Sequence, residues 1–262
     1  MIAADVEFQK VANAAADQFR QPPAYISYHT VAKVDIPGLT HKVIERQVET
    51  RTADDFAVLQ DLPKGQRQYG QSFPLIPTFD ALSYFRIDYS VHQRNAIAHV
   101  TTYDPIWFAP PHPSRPGIAV VAMTLRNYYA HYADDSTDAQ THILMDPLKP
   151  LTQNNTSSFY IHDLYVDMST DLPTQVTYTG PNDLSFTIDY TVVDSHWLVS
   201  HVVYSRSFSA PLHIGKTSFS ADVTFDQFAF PDTPSDAKLA TSPIGSIPVA
   251  DTTGHKATGE PQ

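Results

Sequence analysis

Over residues 164–205 the chain alternates apolar and polar positions in extended runs, cut apart by Asp171-Leu172-Pro173, Gly180-Pro181-Asn182-Asp183 and Asp194-Ser195-His196. A period of two marks half-buried strands, and Gly, Pro, Asn and Asp between them mark turns. The pattern predicts a β-meander with strands over residues 159–166, 174–178, 184–193, 197–207 and 217–230. Such a sheet has one apolar face, and what covers that face decides what the sheet is for.

The rest of the chain shows the same habit with one exception. Residues 3–20 are helical in pattern, with Val6, Val11, Ala14, Ala15 and Phe19 on one face and Asp5, Glu7, Lys10 and Asp17 on the other, and Gln21-Pro22-Pro23 ends the helix. Residues 24–36 then alternate, placing Tyr28, Thr30, Ala32 and Val34 on one side. Pro37-Gly38 makes a turn, residues 42–51 run back, and residues 56–62 form a third strand. Residues 68–76 read as a further strand or as loop, and residues 78–82 as a short helical turn. Phe85, Ile87, Tyr89 and Val91 alternate with Arg86, Asp88, Ser90 and His92, and residues 96–103 answer them across Gln93-Arg94-Asn95, predicting a second hairpin. Residues 105–116 hold five prolines together with Trp107 and Phe108, which suits a rim or lid loop. In residues 117–132, Ile118, Val120 and Val121 suit a buried strand while residues 123–129 tolerate a helix, and helix is the reading preferred; residues 134–141 read as polar loop and residues 143–145 as a short strand. Beyond Pro231 the chain is rich in Pro, Ser, Thr, Asp and Gly with isolated hydrophobics, a composition that cannot bury enough to offset its ordering entropy. The expected organisation is one domain over residues 1–231 and a flexible tail over residues 232–262.

Composition narrows this picture. Aromatics make up 11% of the 262 residues and charged residues only 17%, against roughly 25% in an average soluble domain, which favours sheet. Twenty-one prolines against nine glycines speak against a mainly helical chain. The net charge of −11 and the lack of a Lys/Arg cluster exclude a phosphate-tracking surface, so no nucleic-acid partner is expected. No cysteine is present, which removes thiolate nucleophiles, disulfides and Cys-based metal sites together. No run approaches the ~18 apolar residues of a transmembrane helix. The opening Met1-Ile2-Ala3-Ala4-Asp5 lacks the basic and apolar regions of an export signal, and the expectation is a periplasmic or secreted domain whose signal has been removed.

Leu164-Tyr165-Val166-Asp167-Met168-Ser169-Thr170-Asp171-Leu172-Pro173 resembles the "strand, Asp, x, x, Thr, x, Leu-Pro" hairpin of the bacterial LolA/LolB-like lipoprotein-carrier superfamily, which includes LppX- and RseB-type domains. Phe186-Thr187-Ile188-Asp189-Tyr190, followed by Asp194-Ser195-His196-Trp197-Leu198, resembles that family's next two strands. The resemblance implies an α+β, mainly antiparallel fold: a strongly curved half-barrel sheet covered by an N-terminal helix and short helices and loops, with an apolar cavity for acyl chains. The hairpin stands on its own physics as well, because Asp167 and Thr170 can bond local backbone groups and Pro173 fixes φ where its missing N–H costs least.

Chemistry-bearing residues are less informative. Among twelve histidines, His92 and His99 flank one hairpin turn, while His196 and His201 lie five apart and point to opposite faces of a regular strand. No metalloprotease helix motif occurs, so no metal is expected. No Gly-x-Ser-x-Gly elbow and no glycine-rich phosphate loop is present, so neither a serine hydrolase nor a nucleotide cofactor is indicated. Asp54-Asp55, Asp134-Asp135 and Asp163 with Asp167 fall in loops or turns, where capping roles predominate. Aromatics recur instead: Phe85, Tyr89, Tyr165, Tyr178, Phe186, Tyr190, Trp197, Tyr204, Phe219, Phe225 and Phe228. A sheet bearing so many rings needs a thick apolar partner, either an ordinary core or a cargo.

The expectation is therefore a binding or carrier protein, not an enzyme and without cofactor, that holds a lipid, a lipoprotein acyl chain or another amphiphile. Its expected lining is Phe85, Tyr89, Tyr165, Tyr178, Phe186, Tyr190, Trp197 and Tyr204, with Trp107 and Phe108 on the rim. The alternative is a non-catalytic regulatory or protein-interaction module on the same fold that binds a protein through the outer face or the 105–116 loop, and a His/Asp-based enzyme ranks third.

Overall fold

Among the described residues eleven strands follow one another along the chain, and every one pairs antiparallel with a strand next to it in sequence. The computed structural model describes residues 23–52, 56–62, 64–71, 128–147, 160–180, 183–209 and 216–242, together with Ala4, Val6, Glu7, Lys10, Val11, Ala14 and Gln18 of an N-terminal helical segment. The strands are β1 (Tyr25–Ile36), β2 (Thr40–Arg51), β3 (Phe56–Leu62), β4 (Arg67–Gln71), β5 (Tyr128–Tyr132), β6 (Gln140–Pro147), β7 (Tyr160–Asp167), β8 (Leu172–Gly180), β9 (Leu184–Val193), β10 (His196–Ser209) and β11 (Lys216–Ala229). They form one open, curved antiparallel sheet in the order β4-β3-β2-β1-β11-β10-β9-β8-β7-β6-β5. The pairing of β1 with β11 is the seam at which the N-terminal and C-terminal strand runs meet.

Local sequence explains most of these elements. In β1 the even positions Ile26, Tyr28, Thr30, Ala32 and Val34 are buried, as the alternation predicts, and Gly38 takes a left-handed φ of 75° in the turn that returns the chain into β2. Asp194 and Ser195 both take positive φ, 47° and 66°, in the two-residue β9–β10 turn, the conformation whose twist matches the flanking strands. In the β7–β8 hairpin the Asp167 carboxylate accepts from the Ser169 backbone N–H at 2.7 Å and its hydroxyl at 2.6 Å, and Thr170 Oγ1 accepts from the Leu172 N–H at 3.3 Å. These bonds hold the Asp167 carboxyl below its usual range, the Ser169 side chain contributing most.

The apolar core lies on one face, here the inner face. Ala57 and Leu59 of β3, Val48 of β2, Tyr28 of β1, Val223 and Phe225 of β11, Val202 of β10, Ile188 of β9, Val176 and Tyr178 of β8, Leu164 and Val166 of β7, Ile143 and Met145 of β6 and Ala130 of β5 belong to a single cluster. Ala4, Val11 and Ala14 of the helical segment pack into it. The opposite, outer face carries the His–carboxylate pairs of β1, β2, β6, β7, β9, β10 and β11, with a small apolar cluster at the β3–β4 end.

Three expectations need correction. The helical segment turns Ala4, Glu7, Val11, Ala14 and Gln18 inward in a three-four spacing, so Glu7 is buried and Val6 is exposed, the reverse of the faces read from hydrophobicity. That spacing keeps one stripe over the sheet, and Val6 lies about 100° round the helix from Glu7. Residues 128–132 are strand rather than helix, because pairing with β6 supplies backbone partners that override a weak local preference. Finally, residues 232–242 do not behave as tail. Asp236 caps a short helix, Ala237–Thr241, whose Leu239 is fully buried with Phe56 and Val58 on the outer face. Arg51 donates to the carbonyls of Leu239 and Ser242, each at 2.7 Å, and Ser235 is held through its N–H and hydroxyl by the Glu49 carboxylate. A few well-placed polar clamps and one leucine thus order a segment whose composition reads as disordered. Residues 243–262, the expected hairpin over residues 85–103, the helical turn at 78–82 and the loop at 105–116 lie outside the described residues.

Candidate functional site

Each strand of the β8–β11 run places one large ring on the inner face at matching register. Tyr178 pairs with Phe186, Phe186 with Tyr204, and Tyr204 with Ala221, two residues from Phe219 on the same face. The result is a ladder of four rings across four strands, with centroid separations of 5.9 Å for Tyr178–Phe186, 6.0 Å for Phe186–Tyr204 and 5.5 Å for Tyr204–Phe219. The last two contacts are edge-on, the arrangement favoured by ring quadrupoles. Tyr178 is buried, whereas Phe186, Tyr204 and Phe219 are only half-buried, so the ladder emerges from the core as it runs towards β11. Arg206, opposite Phe219 in register, brings a guanidinium to that end.

The expected lining residues part company here. Tyr178, Phe186 and Tyr204 come together in the ladder. Tyr190 and Trp197 stack on each other at 4.4 Å and are buried, with the Trp197 indole bonded to the Pro173 carbonyl, so they serve the core. Tyr165 does not line the inner face at all. Its neighbours Leu164 and Val166 point into the core, and the Tyr165 ring stacks on His142 at 3.9 Å on the outer face. Phe85, Tyr89, Trp107 and Phe108 lie outside the described residues. Phe219, a recurring aromatic of the sequence, is a ladder member that was not among the expected lining. Its signal is the alternation Phe219-x-Ala221-x-Val223-x-Phe225, which puts it on the core side of β11.

Three His–carboxylate clusters stand on the outer face instead. His29 stands between Asp226 at 2.8 Å and Glu45 at 3.0 Å, and His201 between Asp189 at 2.9 Å and Asp222 at 3.2 Å. His142 stands between Asp135 at 2.6 Å and Asp163 at 3.0 Å. The His142 contact is the main cause that holds the Asp135 carboxyl below its usual range. The register shift between Val199 and His201 reverses the alternation of β10, so His196, opposite Val193, shares the side of His201, opposite Asp189; the expectation of opposite faces fails at this bulge. Among the described residues no group of three or more His, Asp or Glu is arranged to hold a metal ion.

Known structures place this geometry in context. The chain shows a weak structural likeness to several solved proteins. It is 11% identical to a LolA superfamily protein from Nitrosomonas europaea, covering 89% of this chain and 96% of that one with a TM-score of 0.35. It is 9% identical to a putative outer membrane lipoprotein-sorting protein domain from Vibrio parahaemolyticus, over 90% and 97% of the two chains, TM-score 0.38. A DUF1329 family protein from Desulfovibrio piger is 9% identical over 93% and 100%, TM-score 0.39. No family model matches the chain, and no curated protein matches it in sequence. Likeness at this level carries no argument about residues, ligand or role, so the reading of the site rests on its own side chains.

Proposed function

We propose that the protein is a non-catalytic binding protein that holds an acyl chain or similar amphiphile against the aromatic ladder of its inner face. The observation that carries this reading is the row formed by Tyr178, Phe186, Tyr204 and Phe219, continuous with the core yet half-buried in three of its four members. Half-buried rings in a row present apolar area that an acyl chain can cover, each methylene so buried gaining about 0.8 kcal/mol before the cost of immobilisation. A sixteen-carbon chain would gain on the order of 12 kcal/mol gross, enough to need no charged anchor. The His–carboxylate clusters lie on the opposite face, away from this surface, which supports binding rather than acid–base chemistry there. No described helix is long and apolar enough to cross a membrane. A periplasmic or secreted setting suits a carrier of this kind.

Organic extraction and native mass spectrometry of the purified full chain test the reading. Amphiphile should co-purify with the protein, and a fluorescent fatty acid should bind to the delipidated chain. The Phe186→Ala/Phe219→Ala double variant, folded by circular dichroism, should weaken that binding at least tenfold. Absence of both co-purified and added amphiphile, or binding unchanged in the double variant, overturns it.

A further inference from the structure

Among the described residues the seam between β1 and β11 is the one place where strands distant in sequence meet, and two histidines hold β11 there from either side. His29 of β1 reaches Asp226 of β11 and Glu45 of β2; His201 of β10 reaches Asp222 of β11 and Asp189 of β9. In both rings Nδ1 and Nε2 alike face a carboxylate oxygen within 3.2 Å. A neutral imidazole owns one N–H and one lone pair, so it can satisfy only one of its two carboxylates and sets its lone pair against the other. Only the imidazolium donates to both. We propose that the β1–β11 seam is a proton-operated clamp, in which the imidazolium forms of His29 and His201 bolt β11 to β10, β1 and the strands beyond, and loss of their protons loosens the junction of the two halves of the sheet. This inference stands apart from the reading of the inner face.

The surroundings support it on every side. His29 is faced by Glu45 from β2 and Asp226 from β11, beside the neutral Gln47 and Ser27. His201 is faced by Asp189 from β9, which also accepts from Gln175 of β8 at 2.7 Å, and by Asp222 from β11, whose register partner on β1 is Lys33. Desolvation by partial burial lowers the pKa of each histidine, but the two carboxylates together outweigh it, and both are raised from 6.5. A raised folded-state value means that the stabilisation is complete below about pH 6.5 and is lost as pH climbs through the folded value, when like-charged carboxylates are left facing an uncharged ring.

Hydrogen exchange of the full chain, corrected for intrinsic rates, reads the clamp directly. Between about pH 6 and pH 8.5 the protection of Val31 and Val223, in β1 and β11, should fall about fivefold or more relative to Leu59 in β3. The fall should disappear in the His29→Gln/His201→Gln variant. Imidazole 15N shifts of the unaltered chain provide a measurement that needs no variant. Both ring nitrogens of His29 and His201 should be protonated at pH 6, with midpoints above 6.5. Protection that changes in parallel across the three strands, or rings that are neutral single tautomers at pH 6, overturns the proposal.

Discussion

The indole N–H of Trp197 donates to the carbonyl of Pro173 at 2.9 Å, tying β10 to the start of β8 across the intervening β9, where Tyr190 stacks on the same indole. One side chain thereby locks the Asp-x-x-Thr-x-Leu-Pro hairpin to the strand two places away. Both partners are buried. Trp197→Phe keeps most of the apolar area but leaves that carbonyl without its donor. It should cost about 1–3 kcal/mol in urea unfolding. A loss under half a kcal/mol would mean that the bond is dispensable.

Acid should loosen the same hairpin. The Asp167 carboxyl is held below its ordinary value of 3.8, so its contribution is present above about pH 3.8 and is lost as pH falls through the lower folded value. Asp167→Asn should lower stability at pH 7 and flatten the acid limb of a melting-temperature profile between about pH 5 and 2. An acid limb unchanged in the variant would place acid sensitivity elsewhere.

Asp236 is the hub of the C-terminal segment. Its carboxylate caps the Lys238 N–H at 2.9 Å and accepts from Arg67 Nη1 and the Tyr69 hydroxyl, each at 3.0 Å. Burial alone would raise its pKa, but these donors bring the net value below the ordinary one. Asp236→Ala should cost about 1–2 kcal/mol, in line with loss of a helix cap. It should also open residues 231–242 to limited proteolysis while the sheet stays intact. Equal protease resistance in wild type and variant would count against a hub role.

Glu7 offers a prediction of the opposite sign. It is buried in an apolar stripe with Oε2 at 3.3 Å from Lys10 and, among the described residues, no hydrogen-bond partner for Oε1. Burial chiefly, and the Glu7 charge next, push the Tyr132 hydroxyl above its ordinary range, so the carboxylate's field reaches β5. Replacing a buried, half-satisfied charge by an apolar group of similar size is neutral or stabilising by about 1–2 kcal/mol. Glu7→Leu should raise the melting temperature, and a fall of several degrees would show that Glu7 anchors the helical segment.

Much of the fold was legible because alternation is a local property. Phe56–Leu62 and Leu184–Val193 carry their strand boundaries in the sequence, and Asp167, Thr170 and Pro173 carry their turn. Tyr165 shows where such reading stops. A ring in an alternating strand is apolar by composition, but the side it faces depends on which neighbours go inward, and Leu164 and Val166 take the core. His196 and His201 fail for a related reason: a single extra residue at the β10 bulge inverts the side on which everything after it points.

The chain by itself therefore determined an aromatic-rich antiparallel sheet, the turns of its closing meander and the buried side of regular strands such as β1, since period and turn chemistry act over a few residues. Pairing across the β1–β11 seam joins residues nearly two hundred positions apart, and no local pattern specifies such a partner. Only the tertiary structure decided that Phe219 completes a ladder with Tyr204, that Arg51 and Glu49 fasten residues 235–242, and that His29 and His201 each meet two carboxylates. Those contacts arise from register between strands, which backbone pairing and core packing set together.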